Sequence, residues 1–529
     1  MTATKWWRGA VLYQIYPRSF MDANGDGIGD LKGVTSKLDY VKQLGVDGIW
    51  LSPFFKSPMR DFGYDVSDYR AVDPMFGSMQ DFEALLKAAH DRDLKVIIDQ
   101  VWSHTSSDNE WFQQSRQDGQ NEKSDWYVWA DPKPDGSPPN NWQAWFGGPA
   151  WTWEPRRRQY FLHNFLPTQP DLNFRSDAVR AAILDVARFW LQLGVDGFRL
   201  DVVNYFVHDA ALRDNPPSGV QAPALPRDMQ IHQFNSNQPE TLDFVAKIRE
   251  RVDGHGDNMT VGELAPGSYS LMAEYTQGQQ RLHTAYSFDF LAAWPGGEKI
   301  AAVLNQWREG PDDGWPSWAF SNHDVRRVAT RWGEALGCPA PRAAPLFMAL
   351  LMSLRGTIFL YQGEELGLPE ADVPFEKLQD PWGINGWPAT KGRDGCRTPM
   401  PWKDETLAGF SKSKDTWLPV DARQRLLAAD KQEKLAESML HTTRSLIALR
   451  KESPALGAGS FRVVLASDNL LVFDREQEGE RIQCVFNFGA SETSRVYDVK
   501  PAVLWTSDPV FSGSNLILPP FSAAILKLT

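Results

Sequence analysis

A chain of 529 residues with 42% hydrophobic and 23% charged residues can bury more core than one average domain holds. Its formal net charge of −12, with no run of basic residues, argues against nucleic acid or an anionic membrane as partner, because phosphates are bound by Lys and Arg through counterion release. Three scattered cysteines, Cys338, Cys396 and Cys484, make neither a disulfide framework nor a metal cluster. The N-terminus lacks a signal-peptide core, and no run reaches the roughly 20 apolar residues of a membrane span. A cytoplasmic protein with a neutral small-molecule substrate is expected.

The first strand falls in AVLYQIYPRSF, and DANGDGIGDL (Asp22 to Leu31) follows it. This loop starts like an EF-hand, with Gly27 at the sixth position, but the twelfth is Gly33 where a sensor needs a bidentate Glu. Asp22, Asn24, Asp26, the carbonyl of Ile28 and Asp30 can still surround a hard cation with oxygen. DGIWLSPFF (Asp47 to Phe55) reads as a buried strand. Ser78 with Asp81 opens a helix with apolar positions at Phe82, Leu85, Leu86 and Ala89, and KVIIDQVW (Lys95 to Trp102) follows as a strand. Residues 104–173, rich in Trp, Pro, Asn and Gly, are too long for a βα loop and predict an inserted domain.

A stripe of Val179, Ile183, Val186, Trp190 and Leu193, closed by Gly194, predicts the next helix and leads into DGFRLDVV. QLGVDGFRL (Gln192 to Leu200) echoes QLGVDGIWL (Gln43 to Leu51), two copies of one αβ unit. The stretch Val207 to Glu240 is a long loop shaping an entrance. MTVGEL, AYSFDFL, SWAFSNHD and TIFLYQGEE complete eight strand positions. The fold class is therefore α/β: a (β/α)8 TIM barrel over residues 1–103 and 174–451, with a subdomain at about 368–425. Residues 452–529 change to short alternating runs and predict a C-terminal antiparallel β-sandwich.

Barrel enzymes carry reactive groups at the C-terminal ends of their strands. Those ends hold Asp99, His104, Arg199, Asp201, Glu263, His323 and Asp324. Arg199 and Asp201 stand two apart and share a face, so the guanidinium is expected to keep Asp201 ionised as a nucleophile. Glu263, close to two further acids, is expected to favour its protonated form, as a general acid does. That pairing is the equipment of retaining glycoside hydrolysis, with the two carboxyls about 5–5.5 Å apart.

DQVWSH, GFRLD, GEL around Glu263 and SNHD resemble, in order, the four motifs of the α-amylase family (glycoside hydrolase family 13). QPDLN (Gln169 to Asn173), YQGEELG and GRDGCRTPMPW resemble landmarks of its α-glucosidase and oligo-1,6-glucosidase branch. The resemblance implies Asp201 as nucleophile, Glu263 as acid/base and Asp324 as the third carboxylate, gripping two sugar hydroxyls. It also implies that Asp61, Tyr64, His104, Arg199 and His323 line the subsite of the terminal glucose. Arg397 would close that subsite, with Arg393 one turn away as the alternative, and Phe146, Phe165 and Phe206 would supply apolar walls. For the loop at 22–30 it implies structural Ca2+.

The implied activity is exo-acting release of glucose from short α-glucosides, with possible transglucosylation, no organic cofactor, and a monomer or dimer left open. Val202 often accompanies α-1,6 preference in this branch. Ser103, where the family usually has Asn, and GRDGCRTPMPW, where it has SRDNARTPMQW, separate the chain from oligo-1,6-glucosidases. Maltose-type α-1,4 links are the expectation. The alternatives are an oligo-1,6-glucosidase, a sucrose isomerase, a trehalose synthase, or a non-catalytic transporter-associated homologue.

Overall fold

The computed structural model of the chain describes residues 5–223, 225–265, 268–309 and 314–528. Eight parallel strands make the central sheet: β1 (Val11–Ile15), β2 (Gly48–Leu51), β3 (Lys95–Gln100), β4 (Gly197–Leu200), β5 (Met259–Leu264), β6 (Thr284–Ser287), β7 (Ser317–Ala319) and β8 (Thr357–Tyr361). They run in the order β6-β5-β4-β3-β2-β1-β8-β7. A parallel bridge from Ala285 to Pro316 closes the ring between β6 and β7, and the Ser317 hydroxyl reinforces it by donating to the Ala285 carbonyl at 2.8 Å. The chain is thus a TIM barrel carrying a separate antiparallel domain at its C-terminus.

Side-chain alternation along these strands explains both the core and the site. Leu12, Trp50, Ile97, Val261 and Phe359 pack together inside the barrel, while Val11, Tyr13, Ile15, Ile49 and Ile98 pack outward. Two residues beyond the inward Leu12, Ile97 and Val261 stand Gln14, Asp99 and Glu263, at the C-terminal mouth.

The repeated QLGVDG unit does the same work twice. Gly45 and Gly194 end their helices at φ 88° and 103°, a left-handed conformation glycine adopts at no steric cost. Val46 and Val195 are then buried. Asp47 accepts the Val11 N–H at 2.8 Å and Asp196 the Val96 N–H at 2.9 Å, each pinning the N-terminal end of a neighbouring strand. At Gly197, φ 152°, a Cβ would lie 2.1 Å from the Met259 carbonyl oxygen, so β4 and β5 approach closely there. In the helix Asp177–Leu193, Leu191 rather than Leu193 is fully buried.

Between β3 and β4 lies a three-stranded antiparallel sheet, Trp129–Ala130, Gln159–Leu162 and Trp151–Glu154, over a core of Val128, Trp142, Trp151 and Leu162. Phe55–Lys56 leaves the predicted run Asp47 to Phe55 and pairs with Asp68–Val72 instead. After the helix Met439–Glu452 come a five-stranded and a three-stranded antiparallel sheet. Thr529, the end of the expected last domain, lies outside the described residues. Buried Arg450 ties the barrel floor to this region by donating to carbonyls of Gly9, Met352, Leu354 and Leu456. Among the described residues no single helix is long and apolar enough to cross a membrane.

Candidate active site

Arg199, fully buried on β4, is the hub of the barrel mouth. Its Nη1 donates to Asp99 Oδ1 at 2.8 Å and Asp201 Oδ1 at 2.7 Å, and its Nη2 lies 2.6 Å from Glu263 Oε2. Tyr286 accepts from the same guanidinium at 2.9 Å and donates to Glu263 Oε1 at 3.2 Å. Adjacent nitrogens of one fork therefore hold Asp201 and Glu263, which suits the roughly 5 Å of a retaining pair better than the wider inverting one. Burial pushes Glu263 up to about 8 against the pull of Arg199, with Asp201 and Asp324 adding to the rise. Burial also lifts Asp201 to about 7, with Arg199 opposing. Arg199 thus does not hold Asp201 at an ordinary carboxylate value, because burial outweighs its pull, with the charge of Asp99 adding to the rise. The order of the pair still places a proton on Glu263 before Asp201.

Just past Asp201 the backbone is strained. Val202 sits at φ 35°, ψ 49°, where a β-branched residue is an outlier, and its N–H donates to Glu263 Oε2 at 3.2 Å. The two together lock the chain turn to the acid.

Asp324 stands beyond β7 among cations. Burial works against its charge, but Arg393 and Arg397 outweigh that and hold the carboxyl well below the usual range. Arg397 donates to Asp324 Oδ1 at 2.9 Å and Arg393 at 3.2 Å. Arg393 also holds Asp61 at 2.8 Å and Asp380 at 2.8 Å. His104 is kept neutral by burial, lowered to about 4, and Ser103 Oγ lies 2.8 Å from its Nδ1. The serine that departs from the family pattern therefore still bonds the histidine beside it.

These groups open into one pocket of about 200 Å³ lined by Asp61, Tyr64, His104, Asp201, Glu263, Asp324 and Arg393. Its opposite half is apolar, with Trp145, Phe146, Phe165, Val202, Phe288 and Trp382. Arg199 and His323, expected in the lining, are fully buried behind it, and two further assignments change. Arg397 is buried behind Asp324, and Arg393 is the arginine that lines the pocket. Phe206 faces away and stacks on Phe174 at 4.6 Å, a core contact set by the turn after Val202. Trp145, Phe288, Trp382, Tyr286 and Gln14 were not singled out from sequence, since each lies on a loop or strand outside the motifs. Gln14 alone carried a signal, a polar residue inside an apolar strand.

At residues 22–30 the oxygens bond the loop itself. Asp22 accepts from Gly25 N at 2.6 Å and Gly27 N at 2.8 Å. Asp30 caps the next helix through Gly33 N at 2.7 Å. The donor set is all oxygen, as a hard cation requires. Among the described residues, however, no three acidic, histidine or cysteine side chains are grouped to hold a metal ion.

Residues 14–459 match the α-amylase catalytic domain. The chain is 49% identical over 507 residues to a probable alpha-glucosidase of Rhizobium meliloti (strain 1021), covering 94% of this chain and 91% of that one. It is 36% identical over 565 residues to an oligo-1,6-glucosidase of Heyndrickxia coagulans, covering 99% and 100%. The crystal structure of the alpha-glucosyl transfer enzyme XgtA superposes with a TM-score of 0.95 at 50% identity, covering 99% of this chain and 100% of that one. The trehalulose synthase MutB of Pseudomonas mesoacidophila MX-45 superposes at 0.91 and 31% identity, covering 100% of each. With its motifs in one pocket and its relatives matched over nearly the whole length, the chain belongs to the α-amylase family, in the α-glucosidase and oligo-1,6-glucosidase branch.

Proposed function

We propose that this protein is a retaining, exo-acting α-glucosidase that releases glucose from the non-reducing end of short α-glucosides, with maltose-type α-1,4 links preferred. The observation that carries the reading is the shared guanidinium of Arg199, which joins an acid raised to about 8 and a carboxylate at about 7 in one pocket with Asp324. Asp201 attacks the anomeric carbon while Glu263 gives its proton to the departing glycosidic oxygen. The glucosyl ester on Asp201 is then broken by water, or by another hydroxyl, whose proton returns to Glu263. Two inversions give an α product. Asp324 and His104 would hold sugar hydroxyls, and the Asp61–Arg393 pair would block the far end, making the action exo.

Val202 in the pocket wall favours a second reading, α-1,6 preference. A panel of maltose, isomaltose, sucrose and soluble starch separates the hydrolases from isomerase siblings and tests the exo claim. NMR of the first glucose released from maltose should show the α anomer; β-glucose first would sink the retaining reading. A cation held by Asp22, Asn24, Asp26 and the Ile28 carbonyl, with Asp30 beside it, is proposed as a brace for the loop and has no part in the chemistry.

A further inference from the structure

We propose that Gln14 is a positioning residue: its side-chain amide fixes His323 as the Nε2-protonated tautomer, so that the ring presents a hydrogen-bond donor to Asp324, which lines the sugar pocket. His323 is completely buried. Tyr64 stacks on one face at 5.2 Å and 6°, and Tyr16 lies against the ring at 5.8 Å and 20°. Only the two ring nitrogens remain to make directional contacts. Nδ1 lies 2.8 Å from Gln14 Nε2, while Nε2 meets the Tyr64 hydroxyl and, at 3.2 Å, Asp324 Oδ2.

The proton positions follow from one end of this chain. Asp99 is an acceptor at both oxygens: Oδ1 takes Arg199 Nη1 at 2.8 Å, and Oδ2 takes Trp50 Nε1 at 3.3 Å and the Tyr64 hydroxyl at 3.0 Å. Tyr64 has a single proton and gives it to Asp99, so toward His323 its oxygen accepts and Nε2 must carry hydrogen. A neutral ring then has its lone pair on Nδ1, and that lone pair needs a donor. Among the described residues only the amide nitrogen of Gln14 supplies one, and its second hydrogen is placed by Ser52 Oγ at 3.1 Å. Burial, with Arg199, Arg393 and Arg397 nearby, opposes a charged ring and outweighs Asp324, lowering His323 to about 3.

The assignment has consequences for the reaction, and it rests on the glucosidase reading. The other tautomer would point a lone pair from Nε2 at the Asp324 carboxylate and remove the donor on which that carboxylate rests. A doubly protonated ring would set a positive charge beside a transition state of oxocarbenium character. Glutamine at position 14 excludes both, because it offers Nδ1 a donor and no charge.

Selective 15N-histidine labelling reads the tautomer directly in the unmodified, substrate-free protein, with His323 identified by the signal lost in His323→Asn. Nδ1 should be unprotonated and Nε2 protonated above pH about 6, where Asp99, lifted to about 6 by burial, is ionised and takes the Tyr64 proton. Gln14→Met should mix the tautomers and cut kcat about tenfold with KM little changed, the loss of one ordinary hydrogen bond. Gln14→Glu should protonate both nitrogens and cost more than Gln14→Met. A protonated Nδ1 in the parent, or unchanged ring signals and kcat in a folded Gln14→Met, would overturn the proposal. Should a variant fail to fold, the parent spectrum decides alone. Because the ring is read without substrate, inactivity on maltose would count against the glucosidase reading and leave the tautomer assignment standing.

Discussion

Replacing Arg199 with methionine removes the one guanidinium that touches Asp99, Asp201 and Glu263 and keeps much of the side chain's length. A cation in contact holds a carboxylate down, so its loss lifts Asp201 further above about 7. At pH 7 the ionised share then falls, which lowers kcat/KM by roughly tenfold or more. The distinctive outcome is partial recovery as pH rises, with the acid limb displaced upward. Stability follows by linkage. The folded values sit above the unfolded ones, so the variant keeps its stability at low pH and loses it as pH rises from roughly 4 through the raised folded values. Profiles of kcat/KM on maltose, with urea unfolding at each pH, measure both effects. An acid limb at the parent's position would refute the claim that Arg199 sets the ionisation of this pair.

Three other outcomes follow from particular side chains. Phe206→Ala should cost about 3–5 kcal/mol of stability in urea unfolding with KM unchanged, whereas Phe165→Ala should raise KM several-fold with a smaller loss. A matching KM effect in both would return Phe206 to the pocket. Burial pushes Asp171 up to about 8, its Oδ2 accepting from Asn164 N at 3.2 Å and its Oδ1 without a partner. Because its folded value lies above the unfolded one, the parent loses stability as pH rises toward about 8. Asp171→Asn should therefore gain in Tm on the parent at pH ~9 and not at pH ~5, and a loss at both would contradict this. If the loop at 22–30 holds a cation as a brace, EDTA should lower Tm while leaving the initial rate below the transition intact. An unchanged Tm would show that the loop's own hydrogen bonds suffice.

Much of this was legible in the sequence because buried parallel strands are apolar throughout and end in the reactive residues. The echo of QLGVDG marked two barrel units, and Asp201 and Glu263 stand at strand ends, whereas Asp324 was marked by its motif. The hairpin of Phe55–Lys56 with Asp68–Val72 could not, because its first strand continues the apolar run of β2 without a break. β7 is only Ser317–Ala319, so SNHD is a loop whose residues point by tertiary contact rather than by alternation. Arg393 and Arg397 lie on one irregular segment, and nothing local says which guanidinium reaches the pocket. That choice is made by Asp380, on the same segment, together with Asp61, remote in sequence. The Phe206 expectation failed similarly, since the left-handed turn at Val202 sends the following residues into the core.

The central claim is that Asp201 is the nucleophile and Glu263 its acid/base. Incubation with an activated fluoroglucoside, whose slow hydrolysis lets an intermediate accumulate, followed by proteolysis and mass spectrometry, tests it most directly. The account predicts a glucosyl ester on the peptide containing Asp201, and none in Asp201→Asn, which should stay folded and inactive. A label on Glu263 or Asp324, or turnover retained by Asp201→Asn, would contradict it.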